Sequence, residues 1–413
     1  MIMIRDMEQY TSEDVLTLAS DAGRLLLENG AEIARVEETM ERIAGYFGES
    51  GEKFFVLSNG IFTTGKSFAN VEFIPIKGAR LDMVVEVNQL SRDISAGKYT
   101  LPEARRKLDA IRRMPPKPDW ESYLGAAFGC SGFCIIFGGS ILDSCASMVA
   151  AILLNFFMLK VANKYLTKTL GNICAGLLGT LCCILFQQFG FGENIGNMVV
   201  GTMILLIPGV AFTNALRDVA NEDYLAGLTR LADALMMFMS IAIGVCMAFI
   251  VHGWFIGEVI QLNGTCTDSF TSSFPVQVIT SMVATAAFAV LFGVPRKHYI
   301  HAGVVGMAGW IVYLIMMRYV DAGPFAANLL GATVVAFLSR YYAKIYKCPR
   351  TIFLICGIFP MIPGGGVFWS AYYVASGQLS SALSTGFIAV EVTIAIVLGI
   401  IISANVFNNP SHR

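Results

Sequence analysis

The 413 residues are 55% hydrophobic and 14% charged, with a formal net charge of −1 and a mean hydropathy of +0.63. A chain so apolar at this length is excluded as a single water-soluble domain and fits a polytopic helical membrane protein. The near-neutral charge argues neither for nor against a nucleic-acid partner, and none is expected. Charge is unevenly placed: 35 of the 59 acidic and basic residues fall in residues 1–120. A polar N-terminal domain over 1–118 should therefore precede the membrane part.

In chain order, residues 12–29 and 31–47 carry helical apolar spacing, with Gly30 as the stop between them. The runs 53–59, 60–65 and 70–76 read as strands. A further helix is expected over 82–96 and a basic amphipathic one over 101–113. The segment PPKP (115–118) is a stiff linker. The first 118 residues are thus an α/β domain. They hold neither His nor Cys, which removes a Ser–His or Cys–His nucleophile from this part, so the protein is not expected to be an enzyme. The charges Glu32, Arg35, Glu37, Glu38 and Glu41 lie on one helix, as a solvated face or as a docking contact with the membrane part. No signal peptide is read at the start, and the first segment able to insert begins near Tyr123. The N-terminal domain is therefore expected in the cytoplasm.

A spanning helix needs about 20 predominantly apolar residues. Ten such stretches are expected, near 121–141, 143–162, 169–189, 194–214, 228–251, 274–293, 299–318, 324–343, 351–374 and 382–404. Cytoplasmic loops should be rich in Lys and Arg. Both termini inside an inner (plasma) membrane is the arrangement that puts Arg105, Lys117, Lys164, Arg217, Arg296 and Arg350 on one side and leaves Arg318 on the other. All ten cysteines lie beyond residue 129; they read as small buried hydrophobes, with Cys266 alone in an outer loop as a free thiol. Neither a metal site nor a cofactor is expected.

Two apolar stretches are interrupted by a Pro-Gly pair, LLIPGVAF (205–212) and PMIPGGGVF (360–368). Pro208 and Pro363 are 155 positions apart (363 − 208). The same offset joins Gly176 to Gly331, Ile207 to Ile362, Leu228 to Leu383 and Gly244 to Gly399. It also superposes the first five spans, within 119–252, on the last five, within 274–404. An odd number of spans per repeat makes the second half enter from the opposite side, giving a five-plus-five inverted repeat of the kind many secondary transporters use.

Each break falls roughly 20 Å into its span, near mid-bilayer. Proline removes a backbone donor and glycine opens otherwise forbidden angles. The resumed half-helix presents free N–H groups and partial positive charge, which suits a carboxylate. Pro208, Gly209, Pro363, Gly364 and Gly365 are therefore candidate solute-binding positions. Asn214 and Arg217 follow the first break; Arg217 either draws an anion inward or obeys the charge bias of the loops. Asn155 is interhelical glue or site lining. Glu391, near the middle of the last span, carries an insertion cost of about 2.5–3.5 kcal/mol and is the leading proton carrier. Asp233 is a second candidate for proton coupling. Arg230 lies three residues before it, placed for a local ion pair, and with Asp218 could form a gate. Asp143 reads as an interfacial charge, and Gly125 and Gly129 as close packing.

The segment LLLENGAEIARVEETMERIAGYFG (25–48) resembles the opening of the threonine/serine exporter family, through Gly30–Glu32 and Arg35–Glu37. The stretch 84–111, with Asn88 and Gly97, is similar to the family's Val-Asn-x-Leu segment and the helical stretch after it. LIPGVAFTNALRDVANEDYLAGLTRL (206–231) resembles its Pro-Gly and Asn-x-x-Arg-Asp stretch, and IPGGGVFWSAYYVASGQ (362–378) the equivalent in the second half. Gly364–Gly366 are richer in glycine than that pattern. The resemblance spans nearly the whole chain. It implies a cytoplasmic N-terminal domain, ten membrane helices and export of small amino acids driven by the proton gradient. In some relatives the halves are separate polypeptides, and some of those are linked to dicarboxylate export. The expected partners are a small carboxylate-bearing solute, protons and the lipid bilayer, with self-association left open. The alternatives are a succinate-like dicarboxylate exporter and a channel or sensor gated by the N-terminal domain.

Overall fold

A computed structural model of the chain describes residues 10–49, 54–65, 69–75, 78–220, 222–256 and 268–407. Cys266 lies outside the described residues. The first helix, α1 (Ser12–Glu28), is opened by a capping box in which Thr11 Oγ1 accepts from the Asp14 amide and the Asp14 carboxylate accepts from the Thr11 amide. It ends in a Schellman turn. The Gly30 amide donates to Leu27 O at 3.2 Å and the Ala31 amide to Leu26 O at 3.0 Å. Gly30 sits at φ +83°, a region only glycine enters without strain. The chain reverses there into α2 (Ile33–Tyr46).

The strands β1 (Phe54–Leu57), β2 (Gly60–Thr64) and β3 (Ala69–Phe73) form an antiparallel sheet in that order. Its inner face carries Val56, Ile61 and Thr63 against the helices. Two helices, α3 (Leu81–Ser95) and α4 (Leu101–Arg112), complete this part. The expected α/β elements are all present, each within a few residues of its sequence bounds.

The remaining helices follow in two matching sets. The first is α5 (Asp119–Ile136), α6 (Ile141–Phe157), continued through a π turn into α7 (Asn163–Tyr165), then α8 (Lys168–Gln188), α9 (Ile195–Met203), α10 (Gly209–Ala220) and α11 (Tyr224–Ile256). The second is α12 (Phe274–Leu291), α13 (Tyr299–Arg318), α14 (Gly323–Tyr346), α15 (Thr351–Ile358), α16 (Gly364–Ala375) and α17 (Leu379–Phe407). A shift of 155 residues carries α5 onto α12 and α10 onto α16 with both ends coinciding. It also carries the 3-10 turn Ile204–Leu206 onto Phe359–Met361. The packing repeats as well. Gly244 on α11 lies against the backbone of α8 at Ile173, and Gly399 on α17 against that of α14 at Leu329. Between the sets, Gly125, Gly129 and Gly132 of α5 bring it close to Ala287, Phe288 and Ala284 of α12.

Among the described residues six helices are long and apolar enough to cross a bilayer, and two further pairs pass the same test only when joined across a bend. The bent pairs are Ile195–Leu206 with Val210–Val219, at 69°, and Thr351–Met361 with Gly364–Ala375, at 51°. The expected spans near 121–141 and 324–343 are helical too, as α5 and α14, but fall short of that apolarity. Asp119 and Glu121 open α5, while α14 carries Asn328 and Arg340.

Each bend has one local cause. Ahead of the proline, Ile207 (φ −64°, ψ 126°) and Ile362 (φ −57°, ψ 129°) leave the helix for an extended conformation, as a residue before proline is sterically driven to do. The helix then resumes at the glycine.

The buried apolar core does not stop at the linker. One cluster runs from Leu16, Leu26 and Val36 through Phe133, Phe288 and Phe359 to Ile396. Backbone bonds cross the same junction: the amides of Leu81 and Asp82, at the start of α3, donate to Phe292 O (3.3 Å) and Gly293 O (2.8 Å) after α12. Gly293 (φ +72°) permits this approach, since a Cβ there would stand 3.0 Å from Arg80 Cα.

Candidate functional site

The turn between α1 and α2 is held by polar side chains from the first broken helix and its successor. Asn214 Nδ2 donates to Gly30 O at 2.7 Å, and Arg230 Nη2 donates to Ala31 O at 3.3 Å. Glu32 forms an ion pair with Arg217. Arg230 also pairs with Asp218 at 2.7 Å. Glu32, Arg217, Asp218 and Arg230 are each no more than 4% exposed. Arg217 reaches further, donating from Nη1 to Thr351 Oγ1 at 3.2 Å, at the first residue of α15. One guanidinium thus joins the N-terminal part and both helix sets.

Burial works against charge on Glu32, but the guanidiniums of Arg217, Arg350 and Arg35 outweigh it and hold the carboxyl below the usual glutamate range. Glu32 stands at the N-cap of α2, yet its side chain makes no capping bond. Among the described residues Asn214 Oδ1, Asp218 Oδ1 and Arg350 Nε have no hydrogen-bond partner, so the cluster keeps unspent polar capacity in a place water does not reach.

A cavity of about 740 Å³ opens beside this cluster, between the N-terminal part and the first helix set. Pro208, Asn214, Arg230 and Asp233 line it, together with Gly30 and Phe292. Four expected site residues therefore share one space, and Arg217 and Asp218 adjoin it on α10.

Other expected site residues lie apart from this cavity. The two breaks touch each other. Ile207, just before the first, packs on Gly364 of the second, where a Cβ would fall 2.7 Å from its Cδ1. Gly365 faces Phe137 and Val200. Gly364 and Gly365 are thus covered by apolar side chains, and neither they nor Pro363 belong to the cavity lining. Asn155 is glue: its Nδ2 donates to Ser122 Oγ at 2.9 Å, tying α6 to α5. Glu391 is exposed on the outer face of α17 beside Val390 and Ile394. The inner face of that helix is taken by Ala389, Ala395 and Gly399. The expected Arg230–Asp233 pair does not form, because Asp218 takes the guanidinium. Asp143 is 1% exposed and structural, accepting from the Glu193 and Asn194 amides at 2.7 and 2.9 Å.

Sequence reasoning left Glu32 between solvent and a docking contact, and the structure divides the set. Glu32 docks, Glu37 accepts from the Val56 amide at 3.1 Å, and Arg35 pairs with Glu38 at 2.9 Å. It missed Arg350 and Thr351 as parts of the cluster; their position at the start of the second broken helix was the available signal. The offset of 155 adds a contrast. Asn214, Arg217 and Asp218 correspond to Trp369, Tyr372 and Tyr373, which form an aromatic cluster with centroids 5.7 to 5.8 Å apart. Equivalent positions of the two broken helices thus carry ions in one set and rings in the other.

Two family profiles match the chain, one described as "Putative threonine/serine exporter" over residues 17–252 and one as "Threonine/Serine exporter, ThrE" over residues 277–406. The chain is 23% identical over 400 residues to the "Threonine/serine exporter" of Corynebacterium glutamicum, a match covering 94% of this chain and 81% of that protein. It is 23% identical over 331 residues to the "Probable threonine/serine exporter" of Mycobacterium tuberculosis, covering 76% of this chain and 61% of that one. It is also 23% identical over 255 residues to the "Probable succinate transporter subunit YjjP" of Escherichia coli, covering 60% of this chain and 98% of that subunit. No solved structure gives a significant match.

Proposed function

The chain belongs to the threonine/serine exporter family, and on that premise we propose that it exports small amino acids of the threonine and serine kind across the inner membrane, in exchange for protons. The observation that carries this reading is the cavity at the first break. A space of about 740 Å³ has the volume of a small-solute site, and its polar lining at the first break includes the amide of Asn214, the guanidinium of Arg230 and the carboxylate of Asp233. These groups offer both signs of charge to a zwitterion entering the cavity.

In this reading the helices from α5 to α17 form ten spans, with α6/α7, α9/α10 and α15/α16 each counted as one, and cross the bilayer as an inverted pair of five. Both termini are cytoplasmic, and the cavity opens toward the cytoplasm. The ionic cluster around Arg217 closes the inner end and the Trp369–Tyr373 rings close the outer end. Alternating access is the exchange of one closure for the other. Asp233, exposed to the cavity, is the group that takes up and releases the proton. This reading assigns the proton to Asp233 in preference to Glu391, which is exposed on the outer face of α17.

The test is uptake of labelled L-serine, L-threonine and succinate into proteoliposomes under an imposed pH gradient, with empty liposomes as control. Gradient-driven accumulation of serine or threonine, uncoupled from the gradient by Asp233→Asn, is the expected result. Accumulation of succinate alone would move the protein to dicarboxylate export. Downhill equilibration alone would make it a channel.

A further inference from the structure

Glu32 occupies its site in the manner of a ligand. Three consecutive residues on a rigid turn, Gly30, Ala31 and Glu32, are each bound by a different side chain, Asn214, Arg230 and Arg217. The glutamate caps nothing on its own helix, where its one ion pair is the looser contact with Arg35 at 3.8 Å. An ion pair buried this deeply is weak evidence for stability, because the desolvation of both charges offsets their attraction. The surroundings also carry surplus positive charge. Asp218 answers Arg230, while Arg35 is divided between Glu38 at 2.9 Å and Glu32 at 3.8 Å, so Arg217, Arg350 and part of Arg35 face one carboxylate. The turn borders the cavity through Gly30.

We propose that Arg217 is the docking point for the carboxylate of the transported solute, and that Glu32 is a tethered carboxylate filling that point until the solute displaces it. The inference rests on the exporter reading above and adds to it a residue for each role. Withdrawal of the Gly30–Glu32 turn frees Arg217 and uncovers the buried acceptors Asn214 Oδ1 and Asp218 Oδ1, which suit the solute's ammonium. Arg217 also holds Thr351, so exchanging Glu32 for solute is felt at the start of the second broken helix. The N-terminal part is then an internal competitor, and its affinity for Arg217 sets how much solute is needed to open the path.

The test is binding to the purified full chain, with L-serine, L-threonine and acetate as probes, for wild type, Glu32→Gln and Arg217→Gln. Removing the competitor should tighten binding by at least about ten-fold in Glu32→Gln, and Arg217→Gln should bind none of the probes. Unchanged or weaker binding by folded Glu32→Gln overturns the proposal. A second variant does not disturb the cluster. Ser58 Oγ and Thr229 Oγ1 are 3.0 Å apart, so Ser58→Cys with Thr229→Cys can lock the N-terminal part to α11, with disulfide formation read by mass spectrometry. The oxidised lock should exclude solute and the reduced form should readmit it; equal binding in both states overturns the proposal. The two readings fail separately. Transport of serine by wild type, with indifference of Glu32→Gln and of the lock, sinks this inference and spares the exporter. Acetate bound tightly by Glu32→Gln, with no amino acid bound or moved by any form, sinks the exporter and spares the carboxylate site.

Discussion

Glu32 and Glu391 are both acidic residues that composition would place in water, and their surroundings separate them. Glu32 is 3% exposed and faces guanidiniums, so its folded pKa lies below the ordinary glutamate value of 4.5. A depressed carboxyl pKa favours the docked state wherever the group is charged. Its contribution is full above the ordinary value and is lost as pH falls through the depressed one. Hydrogen exchange at residues 30–36, corrected for the intrinsic effect of pH, should therefore keep its protection at pH 5 and lose it only below 4.5. Loss with a midpoint above 4.5 would show that the guanidiniums do not hold this carboxylate. The Glu32 docking was open as one of two sequence readings, whereas the outward setting of Glu391 was not legible at all. A helix that is apolar all round, as α17 is, gives no periodicity from which to choose its inner face.

At the scale of the element, bends and contacts follow from single residues. Pro208 and Pro363 break their helices through the extended residue that each imposes ahead of itself. This was legible because proline acts on its own neighbour and needs no tertiary partner. Glycines at helix contacts act differently, and their importance depends on what lies opposite. A Cβ on Gly244 would come 2.1 Å from Ile173 O, while one on Gly45 would meet nothing within 4 Å. Gly244→Ala should thus destabilise by about 1–3 kcal/mol through forced separation of α8 and α11. Gly45→Ala, within α2, should stabilise by up to about 1 kcal/mol through helix propensity. Thermal unfolding in detergent checks both, and equal effects would mean that α8 and α11 are not in this close contact. The repeat offset marks Gly244 and Gly399 as a pair from sequence. Which helix each one touches was not readable, since chain order does not give helix adjacency.

At the scale of the whole molecule, the two helix sets follow each other at an offset of 155 residues, with both ends coinciding for α5 and α12 and for α10 and α16, and an inverted setting in a bilayer can be tested directly. Tyr165 and Val320 differ by that offset (320 − 165) and are 78% and 56% exposed. Cysteine introduced at each, in a background without native cysteines, should react with a membrane-impermeant maleimide from opposite faces of oriented vesicles. Labelling from the same face would end the inverted-repeat reading.

The sequence by itself determined the membrane class, the α/β elements ahead of it, both helix breaks and the repeat that relates them. These follow from the length of apolar runs, from capping and turn chemistry and from proline sterics, all of which operate within a few residues. Only the tertiary structure decided that Arg230 answers Asp218 rather than Asp233, that Asn155 is spent on Ser122, and that the second break is closed by Ile207. It also decided that Glu32 reaches Arg217. Pairings of buried charges depend on which helices are neighbours and how each is rotated. Desolvation makes the correct partner decisive, yet nothing local to either residue names that partner.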